Sequence, residues 1–177
     1  MKISPAKSAK TAWFKSHPVF VFLFLFSLVI IVFYFFYMNS WVQAKLFMPW
    51  INLNADISGR LLNLLGQQTT VYQDTISSVH LSISVKKGCD AVEPMALFVA
   101  GIISFPALWK KKLIGLAIGL PLIFFLNIVR IVALFLTGVF FPSLFELMHV
   151  EVWQVIFILV AIAIWFLWLR WSVKKKP

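Results

Sequence analysis

Long apolar runs separated by short basic clusters dominate the pattern of this chain. The first run covers residues 18–38, about twenty apolar residues without a charge, and at ~1.5 Å per helical residue it spans a hydrocarbon core of about 30 Å. Three further runs follow at residues 91–109, 113–141 and 152–171. The pattern predicts an all-α polytopic membrane protein in which four transmembrane helices form one membrane domain over residues 1–177.

Basic residues at the ends of these runs predict the orientation. A leader containing Lys2, Lys7, Lys10 and Lys15 precedes the first run, a lysine triplet at 110–112 separates the second from the third, and Lys174–Lys176 follow the fourth. Cytoplasmic segments carry an excess of Lys and Arg, so both termini are predicted to be cytoplasmic. The third run is too short for two crossings, which need about 40 residues. The first run lacks a small-residue cleavage site, so we expect a retained anchor.

The segment between the first two runs, residues 39–90, is the only sizeable hydrophilic part of the chain. Its first half mixes apolar and polar residues in the way typical of an amphipathic helix lying along the outer interface, with a break near Pro49. In its second half, residues 81–86 alternate between apolar and polar, and Thr69–Tyr72 would pair with them across a turn at Asp74–Ser78. We expect an interfacial amphipathic helix followed by a small extracytoplasmic β-hairpin.

Composition excludes an ordinary soluble domain, because 62% of the residues are hydrophobic and only 12% are charged. The net charge of +10 would suggest nucleic acid in a soluble protein. Here the basic residues flank apolar runs, so the expected partner is the lipid bilayer and no nucleic acid. The single cysteine, Cys89, excludes an internal disulfide and leaves either a packing residue or a reactive thiol.

Three reactive residue types converge on one level of the predicted membrane. Cys89 lies just before the second run and His149 just before the fourth, which places both at the outer interface. Arg130 is the eighteenth residue from Leu113, and ~27 Å along a helix brings it to the same depth. Each has an ordinary explanation: a buried thiol, a polar anchor and a snorkelling arginine. An arginine inside an apolar run is costly, however, and normally has a function, so the coincidence favours a site.

The chemistry that suits these three residues is acyl transfer. A cysteine attacks a carbonyl as its thiolate, and the pKa of a thiol falls near a helix N-terminus or a cation. Cys89 directly precedes a helix predicted to start at about Asp90. His149 would take the thiol proton and return it to a leaving amine, and Arg130 would hold the developing oxyanion or a substrate carbonyl. These three are the candidate catalytic residues.

Two further polar residues are supporting candidates. Asn127 precedes Arg130 by three residues on one helix face, where it would orient Arg130 or the substrate backbone; packing between helices explains it equally well. Glu93 stands three residues after Asp90, which is the spacing of a capping box, and helix capping is favoured over a role in the site. Pro94 also fits the first turn of a helix.

These residues resemble the motifs of the exosortase/archaeosortase family. Cys89 opens a hydrophobic helix, Asn127 and Arg130 lie inside another, and His149 precedes the last. The short chain is most similar to the exosortase H type, a likeness carried by the stretch Gly88-Cys89-Asp90-Ala91-Val92-Glu93-Pro94. Many relatives have a small residue and then Gly after the cysteine, whereas Asp90 and Ala91 follow here, which weakens any inference about the substrate motif.

The resemblance implies a cysteine transpeptidase of the bacterial inner membrane, with its site on the periplasmic side. Its substrates would be membrane-anchored secreted proteins that carry a C-terminal motif, a hydrophobic helix and a basic tail. Cys89 would form a thioacyl intermediate and pass the protein to an acceptor, with Arg130 and His149 in the family's Arg and His roles. Gly101, Gly115 and Gly119 would let a substrate helix approach closely, although packing within the bundle explains each one better.

Two other classes of function stay open. A non-enzymatic assembly subunit would pair Arg130 with an acidic residue of a partner, and a transport subunit would use it in an anion path. The transport interpretation is weaker because matching halves with interrupted helices are not evident. Scattered histidines and the absence of a glycine-rich phosphate loop predict no metal and no cofactor. Oligomeric state, substrate motif and acceptor are not predicted by the sequence.

Overall fold

The computed structural model of the protein describes residues 18–173, so the basic leader and the tail at Lys174–Lys176 lie outside the described residues. Within this range the longer helices are α1 (Pro18–Tyr37), α2 (Met48–Leu64), α3 (Val92–Ser104), α4 (Trp109–Phe140) and α5 (Trp153–Val173). Between α2 and α3 lie β1 (Thr70–Tyr72), β2 (Thr75–Ser77) and β3 (Ser82–Ser84). Shorter helical segments are Ser40–Val42, Gln43–Phe47, Pro142–Leu144 and Leu147–Val152.

Three of these helices are long and apolar enough to cross a membrane. They are α1 with 20 residues, α4 with 32, and α5 together with the helical turn before it, Leu147–Val173, with 27. The predicted second crossing at 91–109 instead contains α3, which has only 13 residues, or ~20 Å of helix. The count of four crossings is therefore not confirmed. The chain nevertheless belongs to a multi-pass membrane protein.

Helix α3 ends early because of a local signal. Phe105 adopts extended backbone angles, φ −75° and ψ 136°, and it directly precedes Pro106. The proline ring clashes with a helical residue before it, so the helix stops at Ser104. The lysine triplet then lies in the first turns of α4, which begins at Trp109 rather than at 113.

Helices α3 and α5 both run antiparallel to α4. The ring of Phe98 packs where a Cβ on Gly119 would stand, and the ring of Trp168 packs where a Cβ on Gly115 would stand. At the end of the bundle that holds the lysine triplet, Trp168 Nε1 donates to the carbonyl of Lys111 over 2.9 Å. Lys112 Nζ donates to the carbonyl of Ile103, one of the last in α3. The glycines thus receive aromatic rings of the same chain, which supports packing within the bundle as their role.

The segment outside the bundle differs in part from the prediction. Helix α2 is amphipathic, and Pro49 stands in its first turn after the π-helical Gln43–Phe47, in agreement with a break near this proline. Its apolar face, with Ile51 and Leu62, packs on the sheet and on α4 through Ile76 and Phe135. Helix α2 therefore belongs to the core of the molecule.

The predicted β-hairpin is replaced by a three-stranded antiparallel sheet in the order β1-β2-β3. The predicted turn at Asp74–Ser78 contains β2, which pairs with both of its neighbours: Val71 lies opposite Ile76, and Ile76 lies opposite Ile83. The tight turn is at Gln73, with φ 53°. Asp74 accepts hydrogen bonds from the hydroxyls of Thr75 and Ser84, so this aspartate joins the ends of β2 and β3.

Candidate active site

Cys89, His149 and Arg130 lie together at one end of the bundle. The sulfur of Cys89 is 3.1 Å from His149 Nε2 and 3.7 Å from Arg130 Nη2. Cys89 is half-buried, and the Arg130 side chain is 7% exposed. The distances satisfy the geometric requirement for a nucleophile beside its base; the catalytic roles themselves remain a prediction.

Each of the three comes from a different element. Cys89 lies in the loop that leads from β3 to α3, and Arg130 projects from the C-terminal half of α4. His149 lies in the π-helical segment Leu147–Val152 directly before α5. A π-helical turn changes the angle at which side chains leave a helix and is frequent at functional sites. Because neighbouring helices alternate in direction, these segments, remote along the chain, meet at the same end.

The loop that carries Cys89 is held by side chains at three successive carbonyls. Arg130 Nη1 donates to the carbonyl of Gly88 over 3.1 Å, Asn127 Nδ2 to that of Cys89 over 2.9 Å, and Trp50 Nε1 to that of Asp90 over 2.8 Å. Such bonds replace water for backbone groups that burial would leave unpaired. Asn127 therefore holds the backbone of the cysteine loop, a contact that the sequence did not predict; its proposed roles in orienting Arg130 or the substrate backbone stay predictions.

Arg130 is directed at the cysteine loop. Besides its bonds to Gly88 and Cys89, its guanidinium lies 5.4 Å from the ring centroid of Phe157 on α5. Its Nε is buried without a hydrogen-bond partner in the described part of the chain. The ion pair found among residues 18–173 joins Asp56 and Arg60, well separated in sequence from this site. A buried, uncompensated cation beside a nucleophile is suited to stabilise negative charge that develops during a reaction.

Burial raises the pKa of the Cys89 thiol above its ordinary value. Desolvation is the largest cause, the nearby Arg130 lowers the pKa in part, and Asp90 raises it. Arg130 thus acts on the pKa in the direction expected of a cation, but desolvation outweighs it, so the net direction is opposite to the lowering that the sequence predicted. The raised pKa favours the protonated thiol over the thiolate.

The raised pKa predicts how Cys89 reacts with an alkylating reagent. Its labelling by iodoacetamide should increase with pH around a midpoint above that of a free cysteine, because only the thiolate reacts. Arg130→Gln removes a charge that lowers the pKa, so the midpoint should move to still higher pH. The measurement is the labelling rate of the purified protein in detergent between neutral and alkaline pH. A midpoint below that of free cysteine would contradict the prediction.

The start of α3 departs from a simple capping box. The first helical residue is Val92, whose N–H donates a hydrogen bond to Asp90 Oδ1 over 3.2 Å. Ala91 takes the N-cap position in the left-handed region, with φ 60°, where a residue with a Cβ is disfavoured by about 1 kcal/mol. Glu93 accepts a long bond of 3.4 Å from the Tyr34 hydroxyl on α1 instead of completing the cap.

An apolar groove of about 550 Å³ begins beside the cysteine loop. Gly88 and Arg130 contribute to one end, and Gly101 and Trp165 lie toward the other. Helices α1, α3 and α5 form its walls, mainly through Phe22, Phe26, Pro94, Leu97, Phe98, Phe157, Ile158 and Ile162. Glu93 and Gln154 bring polar groups into this lining. The groove can therefore accept apolar side chains next to Gly88 and Arg130.

Several residues of the site were not identified from the sequence. Trp50 and Asn54 lie in the predicted amphipathic helix without any assigned role, although Asn54 is fully buried and bonds Asn127. Phe157 and Gln154 stand in an apolar run that gives no sign of a special role. A signal did exist for Asn54, since an Asn on the apolar side of an amphipathic helix needs a buried partner. Among residues 18–173, no three His, Cys, Asp or Glu residues group as metal ligands.

Comparison with known proteins is consistent with this arrangement. The family described as Transmembrane exosortase (Exosortase_EpsH) matches residues 8–167. No curated protein and no solved structure matches the chain. The family match includes the cysteine loop, Arg130 and His149, the residues on which the resemblance was based. Because it extends over most of the chain, the protein belongs to the transmembrane exosortase family, a family of membrane-bound sorting transpeptidases.

Proposed function

We propose that the protein is a membrane-embedded cysteine transpeptidase that cleaves the C-terminal sorting signal of secreted proteins and transfers them to an acceptor. The observation that carries the proposal is the sulfur of Cys89, 3.1 Å from His149 Nε2 and 3.7 Å from Arg130 Nη2. Family membership supports the same class of reaction. A non-enzymatic subunit would need Arg130 for a partner, but its Nη1 and Nη2 are directed at Gly88 and Cys89.

The first half of the reaction forms a thioester. His149 Nε2 takes the proton of the Cys89 thiol while the sulfur attacks the scissile carbonyl carbon. The carbonyl oxygen becomes negatively charged, and Arg130 stabilises it from its buried position. The carbon–nitrogen bond then breaks, and the leaving amine receives the proton from His149. The N-terminal part of the substrate remains on the sulfur, and the C-terminal helix departs.

The second half transfers the substrate. An amine or hydroxyl of the acceptor gives its proton to His149 and attacks the thioester carbon. The carbon–sulfur bond breaks, the sulfur leaves as a thiolate, and His149 returns the proton to it. Water in place of the acceptor would give hydrolysis.

The groove also supports the proposed kind of substrate. A hydrophobic helix lying along α3 and α5 would place one apolar face in the groove and bring the residues before the helix to Cys89. The basic tail of the substrate would then lie at the end of the bundle that holds the lysine triplet. In this proposal that end is cytoplasmic with both termini, and the site faces the periplasm from the bacterial inner membrane.

A trapping experiment tests the proposal. The enzyme and a tagged substrate are incubated without acceptor, and the mixture is analysed for a covalent adduct between Cys89 and the N-terminal part of the substrate. We expect an adduct that neutral hydroxylamine releases, as it does a thioester, and that is absent from Cys89→Ala. An adduct that resists hydroxylamine, or that also forms on Cys89→Ala, would contradict a thioacyl intermediate on this residue.

A further inference from the structure

A chain of hydrogen bonds connects α2 to the nucleophile. Asn54 Nδ2 donates to the carbonyl of Trp50 over 2.8 Å, within α2. Asn127 Nδ2 donates to Asn54 Oδ1 over 2.9 Å and to the carbonyl of Cys89 over 2.9 Å. Trp50 Nε1 donates to the carbonyl of Asp90 over 2.8 Å. Two residues of α2 thus hold the cysteine loop, one directly and one through Asn127.

The geometry leaves the Asn127 amide one orientation. Both hydrogens of its Nδ2 are used, one by Asn54 and one by Cys89, and Asn54 and Asn127 are each 0% exposed. Rotation of the amide by half a turn would point Asn127 Oδ1 at two acceptor oxygens. Buried acceptor oxygens that face each other without a donor between them are strongly disfavoured. Asn54 therefore selects the orientation in which Asn127 donates to Cys89.

The attachment of α2 does not depend on these polar contacts alone. Its apolar face packs in the cluster that contains Ile51, Ala55 and Leu62 together with the sheet and α4. The ring of Trp50 also packs against Phe124 in a tilted arrangement, with a centroid distance of 5.0 Å and an interplanar angle of 50°. Removing one amide should consequently leave α2 in place and release the loop, so that a local effect on the site can be separated from unfolding.

We infer that Trp50 and Asn54 are positioning residues of the reaction: from α2 they hold the carbonyls of Cys89 and Asp90 and so set where the sulfur stands between His149 and Arg130. The inference rests on the proposed function and adds to it a role for the segment before the cysteine. Misplacement of a reacting atom by about 1 Å costs as much as 100-fold in rate. The substrate does not need to touch either residue.

Two variants and one matched control test this inference. Asn54→Leu removes the acceptor for Asn127, and Trp50→Phe keeps an aromatic ring beside Phe124 but removes the donor to Asp90. Asn63→Leu is the control, since Asn63 also lies on α2 and bonds backbone groups, but its partner is Thr69 at the sheet. The measurements are the pH profile of Cys89 alkylation and the kcat and KM of substrate processing.

We expect Asn54→Leu and Trp50→Phe each to lower kcat by about 10- to 100-fold with KM little changed. The alkylation midpoint should move down toward that of a free cysteine, because a released loop exposes the sulfur and burial is the largest cause of its raised pKa, whereas Asn63→Leu should keep the wild-type midpoint. The inference is overturned if both α2 variants keep the wild-type alkylation profile, if both keep the wild-type kcat, or if Asn63→Leu changes these quantities equally. The alkylation result uses no substrate, so it decides this inference even if Cys89→Ala still processes substrate and the proposed function fails.

Discussion

Cys89→Ala is expected to abolish substrate processing, with a loss of roughly 10⁴-fold or more, which is the scale seen when a covalent nucleophile is removed. The chain contains no second cysteine, so no other thiol can replace it. The left-handed backbone at Ala91 and the hydrogen bonds to the loop carbonyls do not involve the sulfur of Cys89. The variant should therefore fold and accumulate normally. The measurement is the ratio of uncleaved to cleaved substrate in membranes, normalised to the amount of enzyme.

Cys89→Ser provides the matched comparison. It conserves the size and polarity of the side chain, but a hydroxyl is a far weaker nucleophile than a thiolate and His149 would have to deprotonate it. We therefore expect processing close to that of Cys89→Ala, together with a normal protein level. Normal cleavage by either variant would remove Cys89 from the mechanism and leave a helical membrane bundle without an assigned reaction.

His149→Ala is expected to have the second largest effect, a reduction in kcat of about 10²- to 10⁴-fold, which is the usual contribution of a general base. The reason lies in the protonation of the Cys89 thiol. Burial raises the pKa of Cys89 and so disfavours the thiolate; in the proposed reaction His149, 3.1 Å away, takes the proton as the sulfur attacks. If the thiolate were already formed, removing His149 would reduce kcat less.

The residual rate of His149→Ala gives a sharper test. Without the base, the reaction depends on thiolate formed by the solvent, so the rate of the variant should increase with pH up to the raised pKa of Cys89. The wild type should lack this strong increase. His80→Ala is the control, because His80 is exposed in the loop between β2 and β3. A variant of His149 with wild-type kcat, or an equal loss in His80→Ala, would contradict the role of the base.

Much of the fold follows from local signals. The positions of α1, α4 and α5 agree with the apolar runs to within a few residues, because the hydrophobic effect acts on any stretch long enough to span lipid. The early end of α3 was also encoded locally, by Phe105 before Pro106, but the apolar run concealed it. The sheet was harder, since short alternating segments allow several pairings and only packing on α2 selects one.

The candidate site likewise depends in part on local sequence signals and in part on tertiary packing. The sequence by itself determined that Cys89, Arg130 and His149 share one level, because the alternation of apolar runs and basic clusters sets the direction of each helix. Only the tertiary structure decided the bonds from Trp50 and Asn54, which join residues 40 and 73 positions apart, the groove beside Arg130, and the direction of the Cys89 pKa. These depend on burial and on contacts between distant segments, and both arise only when the helices have packed.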